Sequence, residues 1–169
     1  DKTLVRMLAQ RIAFFILSSN LSPPSHTSPT GGYALGIIVL DFGGQYAHLI
    51  ANRIRRLRVF AAIRSPTTDI SELADADGFI LSGGPSSVYD EEAPVYNREI
   101  FAMGKPMLGL CYGHQLLCHR LGGQVEPGQT HEFGPAYLQV KAATGVLEGM
   151  GARELVWMSH RDHVTTIPE

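Results

Sequence analysis

A cysteine framed by two glycines stands where an apolar run of the chain gives way to a helical one. Residues 109–115 read Gly-Leu-Cys-Tyr-Gly-His-Gln. The preceding residues 105–110 predict a short buried strand, and residues 114–121 predict an amphipathic helix that ends at two glycines. Cys111 is therefore expected at a nucleophile elbow, a strand-to-helix corner that gives its central residue a strained backbone and an exposed side chain.

The position of Cys111 predicts a reactive thiolate. Glycines on both sides let other backbone pass close by, which a cysteine used only for packing does not require. Unpaired N–H groups and the helix dipole at the start of a helix favour the thiolate, so we expect a lowered pKa for this thiol. Cys118 lies further along the same helix without a glycine frame, and we interpret it as a packing residue.

Length and composition exclude several classes of protein. A chain of 169 residues that is 44% hydrophobic and 18% charged fits one globular domain. Its net charge of −2 and pI near 6.4 argue against a nucleic-acid-binding surface. With two cysteines there is no disulfide framework, so a reducing, cytoplasmic location is expected. The longest apolar segment is interrupted by polar residues and is too short to predict a membrane span.

Residues 1–35 differ in composition from the rest of the chain. Residues 4–17 are apolar but are broken by Gln10 and Arg11, and residues 18–30 are rich in serine and proline. Both a signal or transit peptide and an amphipathic helix on a flexible linker are consistent with this pattern. We therefore treat residues 1–35 as an appendage of unknown role, which precedes a domain formed by residues 36–169.

Strand-like and helix-like segments alternate from residue 36 onward. The predicted strands before the elbow are 36–41, 59–63, 78–82 and 105–110, and the predicted helices between them are 46–57, 69–74 and 93–103. Strands separated by helices run parallel, with right-handed crossovers and helices on both faces. The chain is thus predicted to form an open, doubly wound, mostly parallel α/β sheet of the flavodoxin-like kind, whose ligand site lies at the carboxyl ends of the strands.

Three motifs follow predicted strands at that edge of the sheet. They are Asp-Phe-Gly-Gly-Gln-Tyr at 41–46, Ser-Gly-Gly-Pro-Ser-Ser at 82–87, and the elbow itself. The first motif lacks the glycine spacing of a dinucleotide-binding loop, which argues against a nicotinamide cofactor. The second is consistent with a tight surface turn. It is also consistent with a backbone N–H donor beside the thiolate, since acyl transfer needs two such donors and the residue after the nucleophile, Tyr112, supplies one.

The region after the elbow helix predicts two further strands, at 131–140 and 153–158, and a loop at 159–164. His160 and His163 in this loop have the spacing of a weak metal site. Because no third ligand of suitable spacing accompanies them, we interpret them as solvated histidines and expect no metal.

Together these motifs resemble the class I, or triad, glutamine amidotransferases, and the resemblance covers residues 36–169. The elbow is common to the whole family. The sequence Val-Trp-Met-Ser-His-Arg-Asp-His-Val at 156–164 is similar to that of the amidotransferase domains of GMP synthetases in particular. Residues 1–35 have no counterpart in this resemblance.

The resemblance implies a reaction and a set of site residues. Cys111 would attack the side-chain amide of glutamine, release ammonia and leave a thioester that water resolves. The ammonia would pass to a separate ATP-pyrophosphatase domain that uses ATP and Mg²⁺ to aminate xanthosine 5′-monophosphate to GMP, while this chain itself needs no cofactor. The remaining implied roles are oxyanion-hole donors (Gly84 and Tyr112), glutamine binding (Gln115, Ser159 and His160) and a contact with the other domain (Asp162).

Two departures from the family pattern affect this interpretation. The family's catalytic histidine and glutamate occur in a His-Pro-Glu motif, and residues 1–169 contain no such motif. The resemblance therefore implies a domain truncated at its C-terminus, with an incomplete triad and little activity of its own. Arg161 also stands where many members have glycine. A glutaminase subunit of another class I amidotransferase and a catalytically silent α/β module that binds glutamine or a partner remain as alternatives.

Overall fold

A computed structural model describes residues 36–168 of the chain, without the side chains of residues 129–133 and 160. The predicted appendage at residues 1–35 therefore lies outside the described residues. The described residues contain no helix that is both long and apolar enough to span a membrane.

A four-stranded parallel sheet forms the centre of the domain. Its strands are β1 (Ile37–Leu40), β2 (Ala61–Arg64), β3 (Gly78–Leu81) and β4 (Met107–Gly109), in the order β2-β1-β3-β4. All neighbouring pairs are parallel, with Ile37 opposite both Ala61 and Gly78. The strand order reverses direction between β1 and β3, so the loops that follow these two strands meet at the point where open α/β sheets bind ligands.

Helical segments cover both faces of the sheet, as predicted. On one face Ile37 and Val39 pack against helix α1 (Ala47–Arg56), whose inward side is formed by residues such as Ile50 and Ile54. On the other face Ile38 and Leu40 belong to a core that also includes residues of helix α2 (Tyr112–Arg120) and of two 3₁₀ turns. Burial on both faces explains why these strands are continuous apolar runs rather than alternating ones.

The predicted helix at residues 93–103 is wrong in extent. Only a 3₁₀ turn, Arg98–Ala102, forms there. Pro94 has no backbone N–H to donate to a helical hydrogen bond. The backbone of Asn97 is extended, and the Asn97 side chain caps the turn by accepting a hydrogen bond from the N–H of Glu99. The helical geometry therefore begins after Asn97 and ends before Gly104. The predicted helix at 69–74 is likewise a 3₁₀ turn, Ile70–Leu73.

A long antiparallel ribbon follows α2. It consists of β5 (Gln124–Gln139) and β6 (Arg153–Thr166), which pair with Phe133 opposite Ser159 and Pro127 opposite Asp162. The prediction of a loop at residues 159–164 is wrong, because these residues belong to β6. Cross-strand pairing with β5 supplies backbone hydrogen bonds to a segment whose polar sequence shows no strand-like alternation of apolar residues.

Candidate active site

Cys111 occupies the predicted elbow between β4 and α2. It has φ 53° and ψ −115°, a left-handed conformation that non-glycine residues rarely adopt, and it precedes the first residue of α2. The strand β4 before Cys111 and the helix α2 after it hold the residue in this strained backbone conformation. The residue is exposed. This is the geometry that the glycine-framed motif predicts.

The two framing glycines are required by close packing of backbone. A Cβ on Gly109 would lie 2.5 Å from the carbonyl oxygen of Gly113, and a Cβ on Gly113 would lie 2.3 Å from that of Leu81. The N–H of Gly113 in turn donates to the carbonyl of Ser82 at 3.1 Å. Glycine at both positions thus allows the start of α2 to sit directly against the end of β3.

The sulfur of Cys111 has two polar neighbours. Its thiol donates to the carbonyl oxygen of Ser159 on β6 across 3.7 Å, and the backbone N–H of Tyr112 donates to the sulfur. Although the residue as a whole is exposed, burial of the thiol raises its pKa, and the hydrogen bond from Tyr112 lowers it by less. The expectation that the helix N-terminus lowers the pKa of Cys111 is therefore wrong for the described residues, in which burial of the thiol outweighs the hydrogen bond from Tyr112.

The loops after β1 and β3 pack against each other through their glycines. A Cβ on Gly44 would lie 2.3 Å from the carbonyl oxygen of Gly83, and a Cβ on Gly84 would lie 2.5 Å from that of Phe42. The hydroxyl of Ser82, which is fully buried, accepts a hydrogen bond from the N–H of Phe42 at 3.0 Å. This contact fixes the backbone of both loops at the carboxyl edge of the sheet.

Gly83 is the loop residue that faces the thiol. A Cβ there would lie 3.4 Å from Cβ of Cys111 and 3.9 Å from its sulfur. The backbone of this loop therefore passes alongside the candidate nucleophile. Gly84, the residue predicted as an oxyanion-hole donor, comes next in the chain.

A cavity of about 330 Å³ opens beside Cys111. Its volume falls at the lower end of the range of small-molecule sites. The lining residues come from the loop after β3, the elbow helix and β6: Gly84, Pro85, Ser86, Ser87, Asp90, Cys111, Gln115, Ser159, Arg161 and Asp162. The structure therefore brings together in one cavity the predicted site residues Gly84, Cys111, Gln115, Ser159 and Asp162.

Tyr112, a predicted site residue, contributes no side chain to this lining. Its side chain is buried and packs against the ring of Phe42 with the ring centroids 5.4 Å apart. Burial, with smaller contributions from Tyr96 and Asp90, raises the pKa of the Tyr112 phenol to about 12, so the phenol stays protonated. The side chain of His160 lies outside the described residues.

Gln115 and Asp162 contact each other on the inner side of the cavity. Gln115 is 5% exposed, and its side-chain amide donates to the carbonyl oxygen of Asp162 at 2.6 Å. Asp162 is itself 4% exposed, and its carboxylate accepts a hydrogen bond from the hydroxyl of Ser87. The carboxylate predicted to contact another domain thus lies in the interior of this one.

The family model for glutamine amidotransferase class-I matches residues 38–169. The chain belongs to this family. The match begins at the second residue of β1 and includes the elbow, the cavity and the ribbon, so it covers all but one residue of the sheet and the candidate site.

Curated relatives of this amidotransferase domain are named GMP synthases. A probable glutamine-hydrolysing GMP synthase of Leptospira interrogans is 50% identical over 135 residues, which are 79% of this chain and 22% of that protein. A glutamine-hydrolysing GMP synthase of Thermomicrobium roseum is 42% identical over 154 residues, 90% of this chain and 29% of that protein. The chain therefore spans less than a third of the length of these relatives.

Solved structures share the fold. A putative GMP synthase subunit from Thermoplasma acidophilum superimposes with a TM-score of 0.68 at 28% identity, covering 82% of this chain and 70% of that one. A glutamine amidotransferase from Thermotoga maritima superimposes with a TM-score of 0.63 at 18% identity, covering 80% and 64%. The predicted mostly parallel α/β fold of class I amidotransferases is thereby confirmed.

Sequence reasoning misses several residues of the cavity wall. Ser86, Ser87 and Asp90 lie in or just after the Ser-Gly-Gly-Pro-Ser-Ser motif, in which the resemblance gives a role only to Gly84. Arg161, which departs from the family pattern, lines the cavity as well. The two serines could have been found from the sequence, because they end the same motif as Gly84 and therefore belong to the loop that passes beside Cys111.

Proposed function

We propose that residues 36–169 form a glutaminase domain that releases ammonia from the side-chain amide of glutamine through a thioester on Cys111. The observation that carries this proposal is the strained Cys111 itself, with the backbone N–H of Tyr112 on its sulfur and a cavity beside it. Membership of the glutamine amidotransferase family and the motifs around Cys111 support glutamine as the substrate.

The reaction consists of two acyl transfers. The Cys111 thiolate adds to the amide carbon of glutamine, and the resulting oxyanion accepts hydrogen bonds from the backbone N–H groups of Tyr112 and Gly84. The carbon–nitrogen bond then breaks, the nitrogen takes up a proton and ammonia leaves. Water then attacks the thioester, its oxygen bonds to the acyl carbon as the carbon–sulfur bond breaks, and one of its protons goes to the sulfur as glutamate is released. Gln115, Ser159 and His160 are assigned to binding of the substrate glutamine.

The raised pKa of Cys111 means that attack requires a base to take the thiol proton. Residues 1–169 contain no His-Pro-Glu sequence, the motif that supplies the base and its carboxylate partner in the family that this chain resembles. We therefore propose that these residues hydrolyse glutamine slowly or not at all when assayed alone. In a comparable triad, loss of the base costs about a millionfold in turnover.

The ammonia that this domain would release is expected to be used by a synthetase region outside residues 1–169. The curated relatives are named glutamine-hydrolysing GMP synthases and are several times longer than this chain. We propose that an ATP-pyrophosphatase domain or subunit receives the ammonia and, with ATP and Mg²⁺, aminates xanthosine 5′-monophosphate to GMP in the cytoplasm. The identities of 42–50% to proteins of that name favour this partner over the synthase of another class I amidotransferase.

Ammonia release from glutamine tests the proposed function. Residues 1–169 are compared with a chain extended through a His-Pro-Glu motif, each as the original sequence and as Cys111→Ser. We expect activity only in the extended chain, and none after the substitution. Comparable rates from both lengths would show that a histidine within residues 1–169 completes the site, and activity that survives Cys111→Ser would overturn the thioester mechanism.

A further inference from the structure

Asp162 joins β6 to the loop that follows β3. Its carboxylate accepts a hydrogen bond from the hydroxyl of Ser87, a residue 75 positions away in the sequence. The side chain is 4% exposed, and β5 pairs with β6 at this position through Pro127. A hydrogen bond from a hydroxyl to a carboxylate is stronger than one between neutral groups, and it is little weakened by solvent when buried.

Asp162 also joins β6 to the elbow helix. Its backbone carbonyl accepts a hydrogen bond from the side-chain amide of Gln115 at 2.6 Å, and Gln115 is 5% exposed. One residue of β6 thus contacts both other elements that line the cavity.

The same strand holds the partner of the thiol. Ser159, three residues before Asp162 on β6, presents its carbonyl oxygen to the sulfur of Cys111 at 3.7 Å. Ser87, Cys111, Gln115, Ser159 and Asp162 all line the one cavity. A shift of β6 relative to the elbow helix would therefore move the thiol's neighbour and the wall of the cavity together.

We propose that Asp162 is a positioning residue of the glutamine site, which acts by clamping Ser87 and Gln115 to β6. The inference rests on the proposed function, because it presupposes that the cavity beside Cys111 binds glutamine and says which contacts hold that cavity in shape. The clamp controls binding and orientation of a glutamine-like ligand beside Cys111. Removal of the Ser87 contact alone leaves Gln115 joined to β6, so the carbonyl of Ser159 stays beside the thiol.

Labelling kinetics of Cys111 test the clamp. The full chain is treated with a diazoketone analogue of glutamine over a range of concentrations, and separately with iodoacetamide, which needs no binding site. Ser87→Ala removes the hydroxyl that donates a hydrogen bond to the carboxylate of Asp162. Ser87→Thr keeps a hydroxyl at this position. Asp162→Asn keeps the size and one acceptor oxygen. Ser71→Ala is the matched control, because its hydroxyl donates to Asp69 in an exposed turn outside the cavity.

We expect Ser87→Ala to raise the half-saturating concentration of the analogue about tenfold or more, as misplacement of binding groups does elsewhere. Asp162→Asn should raise it by less, Ser87→Thr should restore it, and Ser71→Ala should leave it unchanged. The iodoacetamide rate should stay the same in the Ser87 variants. The Tm of Ser87→Ala should fall, because the substitution takes a hydrogen bond away from a buried carboxylate, and Ser87→Thr should restore it.

Three results would overturn the proposal. Saturable labelling that is unaffected by Ser87→Ala would refute the clamp and leave the proposed function intact. A parallel loss of analogue labelling, iodoacetamide labelling and Tm would show a general role in folding. A failure of the original chain to show saturable labelling, while iodoacetamide still reacts, would refute the glutamine site and the clamp with it.

Discussion

The thiol of Cys111 lies 3.7 Å from the carbonyl oxygen of Ser159, although 48 residues separate them in the sequence. This contact brings the parallel sheet and the antiparallel ribbon together at the candidate nucleophile. Because a carbonyl oxygen accepts a hydrogen bond from an S–H group but repels the negative charge of a thiolate, the contact favours the neutral thiol. The candidate nucleophile thus lies at the wall of the cavity with its thiol donating to β6.

Cys111 should react with a glutamine-like electrophile and Cys118 should not. Cys118 is 4% exposed, and its sulfur lies 3.3 Å from the carbonyl of Thr166, so reagents have no access to it. Treatment with the diazoketone analogue followed by peptide mass spectrometry should find the adduct on Cys111 alone. Cys118→Ala should leave labelling intact, and equal modification of both cysteines would contradict the assignment.

The alkylation rate of Cys111 should continue to rise at pH values where that of a free thiol has levelled off. Burial raises the pKa of this thiol, so a smaller fraction is thiolate at any given pH. The measurement is the iodoacetamide rate across alkaline pH for Cys118→Ala, with glutathione as the reference thiol. A plateau at lower pH than that of glutathione would mean that the helix N-terminus outweighs burial.

Alanine at Gly83 and at Gly84 should have different effects. A methyl group on Gly83 meets Cys111 at ordinary contact distance, so Gly83→Ala should retain its Tm and lose labelling by the glutamine analogue. A methyl group on Gly84 would lie 2.5 Å from the carbonyl oxygen of Phe42, so one loop must move. Gly84→Ala should therefore lower Tm as well as labelling.

These two variants also test the oxyanion assignment in an extended, active chain. Both variants keep their backbone N–H groups, but a loop shift that moves the Gly84 N–H away from the oxyanion has the effect of losing one donor, which typically costs roughly 100- to 1,000-fold in turnover. Unchanged turnover of glutamine in both variants would show that the loop after β3 is only a turn.

Gly113→Ala should destabilise the domain by about 1–3 kcal/mol, the usual cost of forcing extra volume into a packed site. The added Cβ would lie 2.3 Å from the backbone oxygen of Leu81, and neither β3 nor the first turn of α2 can give way easily. Urea unfolding monitored by circular dichroism measures the change. Gly151→Ala is the control, since the nearest atom to its Cβ would be the far end of the Glu154 side chain, at 3.1 Å, and the nearest backbone oxygen would lie at an ordinary 3.8 Å. Equal stability of the two variants would contradict the close-packed elbow.

Most of the sheet and the elbow could be predicted because their signals are local. The apolar runs at β1 and β3 are buried on both faces and leave few alternatives to a parallel strand. The glycines on either side of Cys111 predict the sharp turn, and they also predict the close approach of backbone that makes glycine necessary there. The helix predicted at 93–103 is too long, because the prediction followed the helical spacing of the apolar residues. In the folded chain Pro94 and the cap at Asn97 decide where the helical turn begins.

Local patterns of residues were enough to predict the α/β order, the family and the position of the candidate nucleophile, since each depends on residues close together in the chain. Three features became visible only in the folded domain: residues 159–164 are a strand, the pKa of Cys111 is raised, and Asp162 is buried against Ser87 and Gln115. Strand pairing, desolvation and buried hydrogen bonds all depend on groups that are distant in sequence. Their effects exist only once the ribbon is packed against the elbow helix and the loop after β3.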